Sequence, residues 1–136
     1  MNIHNIFILT FGYGNRPNYD TLLEYCQKFN VSYLIDVREK PRAWSRKWYG
    51  TEIKKMCEQQ GINYLSEIAL GNISGTNHWI SPQPEKVEQI LQEIALKTQS
   101  KTVLLLCAEM DYNKCHRTEV AIELHKLTRH PIEHLL

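Results

Sequence analysis

The segment Thr102–Cys107, TVLLLC, constrains the fold more than any other part of the chain. It is continuously apolar and does not alternate with polar residues. A strand of that kind is buried on both faces, which means a sheet covered on both sides. Two further short runs read the same way: NIFILTF over Asn5–Phe11 and VSYLIDV over Val31–Val37. INYLS, Ile62–Ser66, reads as a shorter third strand, and IEHL, Ile132–Leu135, as a last one.

Helical patterns separate these runs. Leu22, Leu23, Cys26 and Phe29 recur at helical spacing over Tyr19–Phe29, with Asn18 a plausible N-cap. Ile53, Met56, Cys57 and Gln60 mark a second helix over Gly50–Gln60, which Gly61 stops. Val87, Ile90, Leu91, Ile94 and Ala95 mark a third, from Pro84 or Glu85 to about Thr98. A fourth is predicted over Lys114–Leu127 with Asn113 as its N-cap. Glu67–Pro84, rich in Gly, Ser, Asn and Pro, is predicted as a loop of the length usually kept for function. Alternating strands and helices predict one three-layer α/β domain over residues 1–136, with a mainly parallel sheet and helices on both faces. The length of 136 residues fits one such core.

Composition excludes several classes. The 43% hydrophobic and 23% charged residues are ordinary for a globular protein, and no repeat or low-complexity tract appears. The net charge of +1 supplies no global field for nucleic acid or lipid, so such binding needs a local patch. No apolar run approaches the roughly 18–20 residues of a membrane span, and MNIHNIFILTFGYG lacks a signal-peptide cleavage pattern. A cytoplasmic location without membrane contact is expected. The thiols should then be reduced. Cys26 and Cys57, inside helices, are expected to fill the core.

Loops that follow parallel strands emerge at one edge of the sheet, where α/β proteins keep their sites. Tyr13, Asn15, Arg16, Asp36, Arg38, Cys107, Glu109 and His116 should gather there. Gly12 and Gly14 begin like a dinucleotide fingerprint, but Pro17 replaces its third glycine; a tight turn is the better reading. Arg38–Tyr49 interleaves Arg38, Lys40, Arg42, Arg46 and Lys47 with Trp44, Trp48 and Tyr49, a pattern suited to nucleotides or single-stranded nucleic acid. The plain alternative is a solvated basic face with the tryptophans packed beneath it. Arg38 and Arg46 are the preferred ligand contacts.

The richest run is Cys107–Arg117, CAEMDYNKCHR, joining the best strand to the last helix. Nine residues separate Cys107 from Arg117 and none is glycine, which disfavours a phosphatase-type cradle. Cys-x7-Cys-His departs from ordinary zinc spacing. Adjacent residues in a helix also point roughly 100° apart, so no metal ligands are expected of Cys115 and His116. Both are expected in the first turn of the helix, where free N–H groups favour a thiolate. The plain alternative is that Glu109 pairs with Arg38 or Arg117 and that Cys107 is a buried filler.

TFGYGNR, LIDVRxxP followed by SR, and LLCAExDxxxCHR, with EHL near the C-terminus, together resemble the domain-of-unknown-function 488 family across nearly the whole chain. The resemblance carries Gly12, Tyr13, Asp36, Arg38, Pro41, Ser45, Arg46, Cys107, Glu109, Cys115, His116 and Arg117. It implies a compact α/β domain with a polar site, and no reaction or cofactor. Relatives tend to read Leu-Gly-Gly where this chain has Ala69-Leu70-Gly71-Asn72.

The reading that follows is an anion-binding pocket at the C-terminal sheet edge, with an enzyme acting on a phosphate-bearing or nucleotide-like substrate as the leading hypothesis. Arg38, Arg46 and Arg117, with Tyr13, Asn15 and Arg16, are expected to hold the substrate. Asp36 and Glu109 are acid/base or orienting groups, Cys115 or Cys107 a nucleophile, and His116 a proton carrier. The alternatives are a nucleic-acid-binding module on residues 38–49 and a metal-binding protein.

Overall fold

The computed structural model describes residues 5–136. Strands β1 (Ile8–Gly12), β2 (Val31–Asp36), β3 (Asn63–Ser66), β4 (Thr102–Cys107) and β5 (Ile132–His134) form one sheet in the order β3-β2-β4-β1-β5. Every pairing is parallel. The strand read as the best, β4, lies at the centre, and all six of its residues are buried.

The pleat sorts side chains between two cores, because successive residues of a strand point to opposite faces. Leu9, Phe11, Leu34, Leu104 and Leu106 face helices α1 (Asp20–Phe29) and α2 (Gly50–Gln60) through Leu22, Cys26, Ile53, Met56 and Cys57. Ile8, Ile35, Val103, Leu105 and Cys107 face α3 (Pro84–Lys97) and α4 (Arg117–Thr128) through Leu91, Ile94, Val120, Ala121 and Leu124. Three layers result, as expected. No helix among the described residues is long and apolar enough to cross a membrane.

Strand order positions the site. The chain runs outward from β1 to β2 to β3 along one face, then returns to β4 and leaves for β5 along the other. β1 and β4 are neighbours whose outgoing connections depart in opposite directions. Their loops therefore separate and leave a crevice, the usual ligand position in open α/β sheets.

Helix starts differ from expectation. Tyr19, not Asn18, is the N-cap of α1, although Asn18 Oδ1 accepts the Asp20 N–H at 3.0 Å. Asn113 does not cap α4. It lies in a 3-10 turn, Tyr112–Lys114, and its own N–H bonds to Asp111 Oδ1 at 2.9 Å. That turn uses up the residues expected to open the helix, so α4 starts at Arg117 with His116 as N-cap. The long loop after β3 is ordered by Trp79, whose Nε1 donates to Gly71 O and whose N–H donates to Glu119 Oε2, both at 2.9 Å.

Candidate functional site at the C-terminal sheet edge

The loops after β1, β2, β3 and β4 meet at this edge, where His116 Nε2 bonds to Val37 O and Leu70 O and Tyr13 N–H to Cys107 O. Tyr13 N–H donates to Cys107 O at 3.0 Å and Gly14 N–H to Ala108 O at 2.8 Å, extending the pairing past the sheet. This approach is why residue 12 is glycine: a Cβ there would stand 1.9 Å from Glu109 O. The Gly-x-Gly pair thus seats the Ala108–Met110 loop over β1. Gly71 does the same for the third loop, where a Cβ would lie 2.4 Å from the Glu39 backbone.

Two buried polar clusters occupy this edge. In the first, Asp36 ends β2 with no exposure. Arg38 donates to its carboxylate twice, Nε to Oδ1 at 2.8 Å and NH2 to Oδ2 at 2.7 Å. Tyr64 donates to Oδ2 at 2.6 Å, and the Arg38 N–H to Oδ1 at 3.2 Å. Arg38 NH1 reaches Trp48 O at 2.7 Å and Tyr13 Oη at 3.4 Å. Burial, then the adjacent carboxylate, push the Tyr64 hydroxyl well above its ordinary value. Burial, the largest single effect, lowers the Arg38 value, but the bond to Asp36, its charge and the Tyr13 hydroxyl together outweigh burial and raise it. Four donors on one carboxylate and a bidentate guanidinium leave this cluster little spare valence.

The second cluster is Cys107, Cys115 and His116, whose sulfur and ring-nitrogen atoms lie within 4.8 Å of one another. His116 Nε2 meets two carbonyls, Val37 O at 2.8 Å and Leu70 O at 3.0 Å. Two acceptors require the proton on Nε2. Nδ1 therefore faces Cys115 Sγ at 3.9 Å. Hydrogen bonding by the Cys107 thiol lowers the Cys115 value against the opposing effect of burial; His116, the Arg117 N–H and the Arg117 charge add to the lowering. Cys107 moves the other way, raised by its bond to Cys115 and by burial.

The expected first-turn placement of Cys115 and His116 is corrected here. Cys115 precedes α4 in extended backbone (φ −126°, ψ 137°), and His116 takes φ −62°, ψ −17°. The 100° helical offset does not apply between an extended residue and a helical one, so the two side chains converge.

Arg117 is fully buried, and its guanidinium donates to the carbonyls of Glu109 and Met110, the latter at 3.3 Å. It secures the loop through the backbone of Glu109, not through its carboxylate. The Glu109 carboxylate joins none of the ion pairs among the described residues and accepts only the local Asp111 N–H, at 3.0 Å. Neither Arg38 nor Arg117 neutralises it.

Two neighbouring cavities open on this edge. A crevice of about 340 Å³ is lined by Cys107, Cys115, His116, Lys40, Lys114 and Thr76, among others. A groove of about 1210 Å³ runs between Tyr13–Pro17 and the basic segment. Tyr13, Lys40, Arg42, Ala108 and Glu109 line both. A cavity of about 490 Å³ between α3 and the end of α4 shares none of these residues.

The basic-aromatic segment divides. Arg38 and Trp48 turn inward: Trp48 stacks on Tyr13 with ring centroids 4.8 Å apart and donates Nε1 to Arg16 O at 2.9 Å. Lys40, Arg42 and Trp44 face the groove, and Trp44 is wholly exposed. Asn15 and Arg16 line the opposite wall, with the Arg16 guanidinium 4.7 Å from the Phe11 ring centroid. Arg46 opens a 3-10 turn, Arg46–Trp48, is exposed, and does not line the groove. Tyr64 and Trp79 were not anticipated from sequence, and neither was the Tyr112–His134 stack at 4.0 Å.

The fold and the edge together define a parallel, doubly covered α/β protein with a thiol–imidazole cluster at the switch point of its sheet. The family model for the domain of unknown function DUF488 matches residues 18–124, and the chain belongs to that family. No curated protein and no solved structure matches it.

Proposed function

We propose that this protein is an enzyme of the cytoplasm that binds a nucleotide-like anion in the groove and acts on it at the Cys107–Cys115–His116 edge. One observation carries the reading. The wholly exposed Trp44 stands with Lys40, Arg42 and Arg16 around a groove that shares five lining residues with the crevice that holds the two thiols and the imidazole. An exposed indole is a stacking surface for a base, and the neighbouring cations suit phosphate oxygens.

Roles follow from what each group has left to give. Arg16, Lys40 and Arg42 hold the anion, and Asn15 and Tyr13 shape the wall. Asp36 and Arg38 hold the floor rigid and position Tyr13. Arg117 fixes the Glu109 loop. Glu109, on the border of both cavities with its carboxylate unpaired, is the candidate proton carrier. Cys115 and His116 face the substrate's reacting end.

Trp44 fluorescence tests this directly. Titration with AMP or ATP is expected to quench it saturably, and Arg42→Gln to weaken that binding about tenfold. Failure of every nucleotide to bind contradicts the proposal. The continuity of the groove along both loops favours a second reading, single-stranded nucleic acid. It predicts binding of an oligothymidylate but not of mononucleotides, with steep salt dependence.

A further inference from the structure

We propose that Cys107, Cys115 and His116 form a three-ligand site for a thiophilic divalent ion of the zinc type, with its fourth position open to the crevice. This goes beyond the nucleotide reading and does not depend on it.

The geometry comes first. Tetrahedral zinc with two sulfurs and one ring nitrogen keeps those atoms about 3.6–3.8 Å apart. Here all three lie within 4.8 Å, and Cys115 Sγ and His116 Nδ1 are 3.9 Å apart. Closing the set requires shifts of about half an ångström, within the reach of small side-chain rotations. The three ligands come from anchored backbone: the last residue of the central strand, the residue that closes the Tyr112–Lys114 turn, and the N-cap of α4.

The surroundings meet the second requirement, that each ligand be oriented and electronically prepared. Metal-binding histidines usually donate their other N–H to a carbonyl or carboxylate. His116 Nε2 is engaged by Val37 O and Leu70 O, which aims the Nδ1 lone pair at the two sulfurs. Thiolate is the form of cysteine that binds metal, and the incoming ion displaces the proton of each thiol.

The donor set selects the ion. Two thiolates and an imidazole suit zinc and other soft or borderline ions, and exclude magnesium and calcium, which take oxygen. Among the described residues no fourth His, Cys, Asp or Glu joins the cluster. Structural zinc sites are closed by four protein ligands, whereas catalytic ones keep a position for water or substrate. The three ligands line a crevice with Lys40, Arg42 and Lys114 as well as Glu39 and Glu109, so a bound ion faces a polar space with charges of both signs.

The test uses the full chain, reduced and stripped of metal. Titration with Co²⁺ is expected to give one equivalent of binding, with thiolate-to-cobalt charge-transfer bands and the intense visible absorption of a tetrahedral ion. Zn²⁺ should displace it. Cys107→Ser, Cys115→Ser and His116→Gln should each weaken Zn²⁺ binding by about 100-fold or more. His78→Gln, an exposed histidine outside the cluster, should leave it unchanged. No stoichiometric binding, no charge-transfer band, or binding that survives Cys115→Ser and His116→Gln overturns the proposal. Should a ligand variant fail to fold, alkylation of the unmutated chain decides: Zn²⁺ must protect Cys107 and Cys115 together, and lack of protection contradicts the site. Nucleotide binding in the groove is read separately by Trp44 fluorescence, so either proposal can fail alone.

Discussion

Two buried polar clusters sit side by side on one sheet edge and differ in what they leave unsatisfied. Around Asp36, four donors converge on one carboxylate, and Arg38 divides its guanidinium among Asp36, Trp48 O and Tyr13. Around Cys115, two sulfurs and a ring nitrogen approach one another beside a cavity and find few other partners. Both contain residue types that chemistry uses. Only the second keeps lone pairs for a ligand. Residue type thus identifies candidates, and the hydrogen-bond inventory separates a brace from a site.

The largest expected effect breaks the brace. Arg38→Ala leaves Asp36 buried without its cation and should cost about 3–5 kcal/mol of unfolding free energy, read by denaturant titration. Cys115→Ala should cost about 1 kcal/mol. Equal losses would mean that both clusters are scaffolding. Next, Gly12→Ala forces a Cβ against Glu109 O and should cost about 1–3 kcal/mol. Because the loop it displaces carries Glu109, the same variant should also weaken nucleotide binding. A stable variant with unchanged binding would show that the loop tolerates displacement.

A smaller effect separates the groove from the brace. Lys40→Gln with Arg42→Gln should leave the unfolding midpoint within the range of ordinary surface changes, about 0.5 kcal/mol, while binding falls at least tenfold. The smallest effect is pH-dependent. Burial, and then the Arg117 charge, lower the His134 value below 6.5. The unfolded chain therefore takes up a proton that the folded chain resists. This contribution to stability is present above pH 6.5 and is lost as pH falls below it, levelling off under the folded value. His134→Gln should flatten that part of the Tm profile, and an unaltered profile would remove His134 as its source.

Much of the fold was legible because its signals are local. Continuous apolar runs announced buried strands, and helical spacing announced the faces of α1, α2 and α3; Leu22, Cys26, Ile53, Met56, Cys57, Leu91 and Ile94 are buried. That the loops converge followed from parallel topology. Other features depend on distant parts of the chain. Tyr64 could be matched to Asp36 only once β3 was known to pair with β2. Trp44 and Trp48 lie in an irregular segment, where spacing does not say which one turns inward. The Cys115–His116 geometry depends on where α4 begins, and a single 3-10 turn shifted that start to Arg117. Gly12 reads in the sequence as part of a tight turn, and nothing local announces its close contact with the carbonyl of Glu109, 97 positions along the chain.

The cysteines offer the most direct measurement. Cys26 and Cys57 lie in the core beneath α1 and α2, where burial raises each thiol to about 12. Cys107 and Cys115 line the crevice. Metal-stripped protein treated with iodoacetamide at neutral pH, digested and mapped by mass spectrometry should carry label on Cys115 first, while Cys26 and Cys57 stay unmodified in the folded chain. Uniform labelling of all four, or none at Cys115 until the protein unfolds, would contradict the claim that this edge is the chemical site.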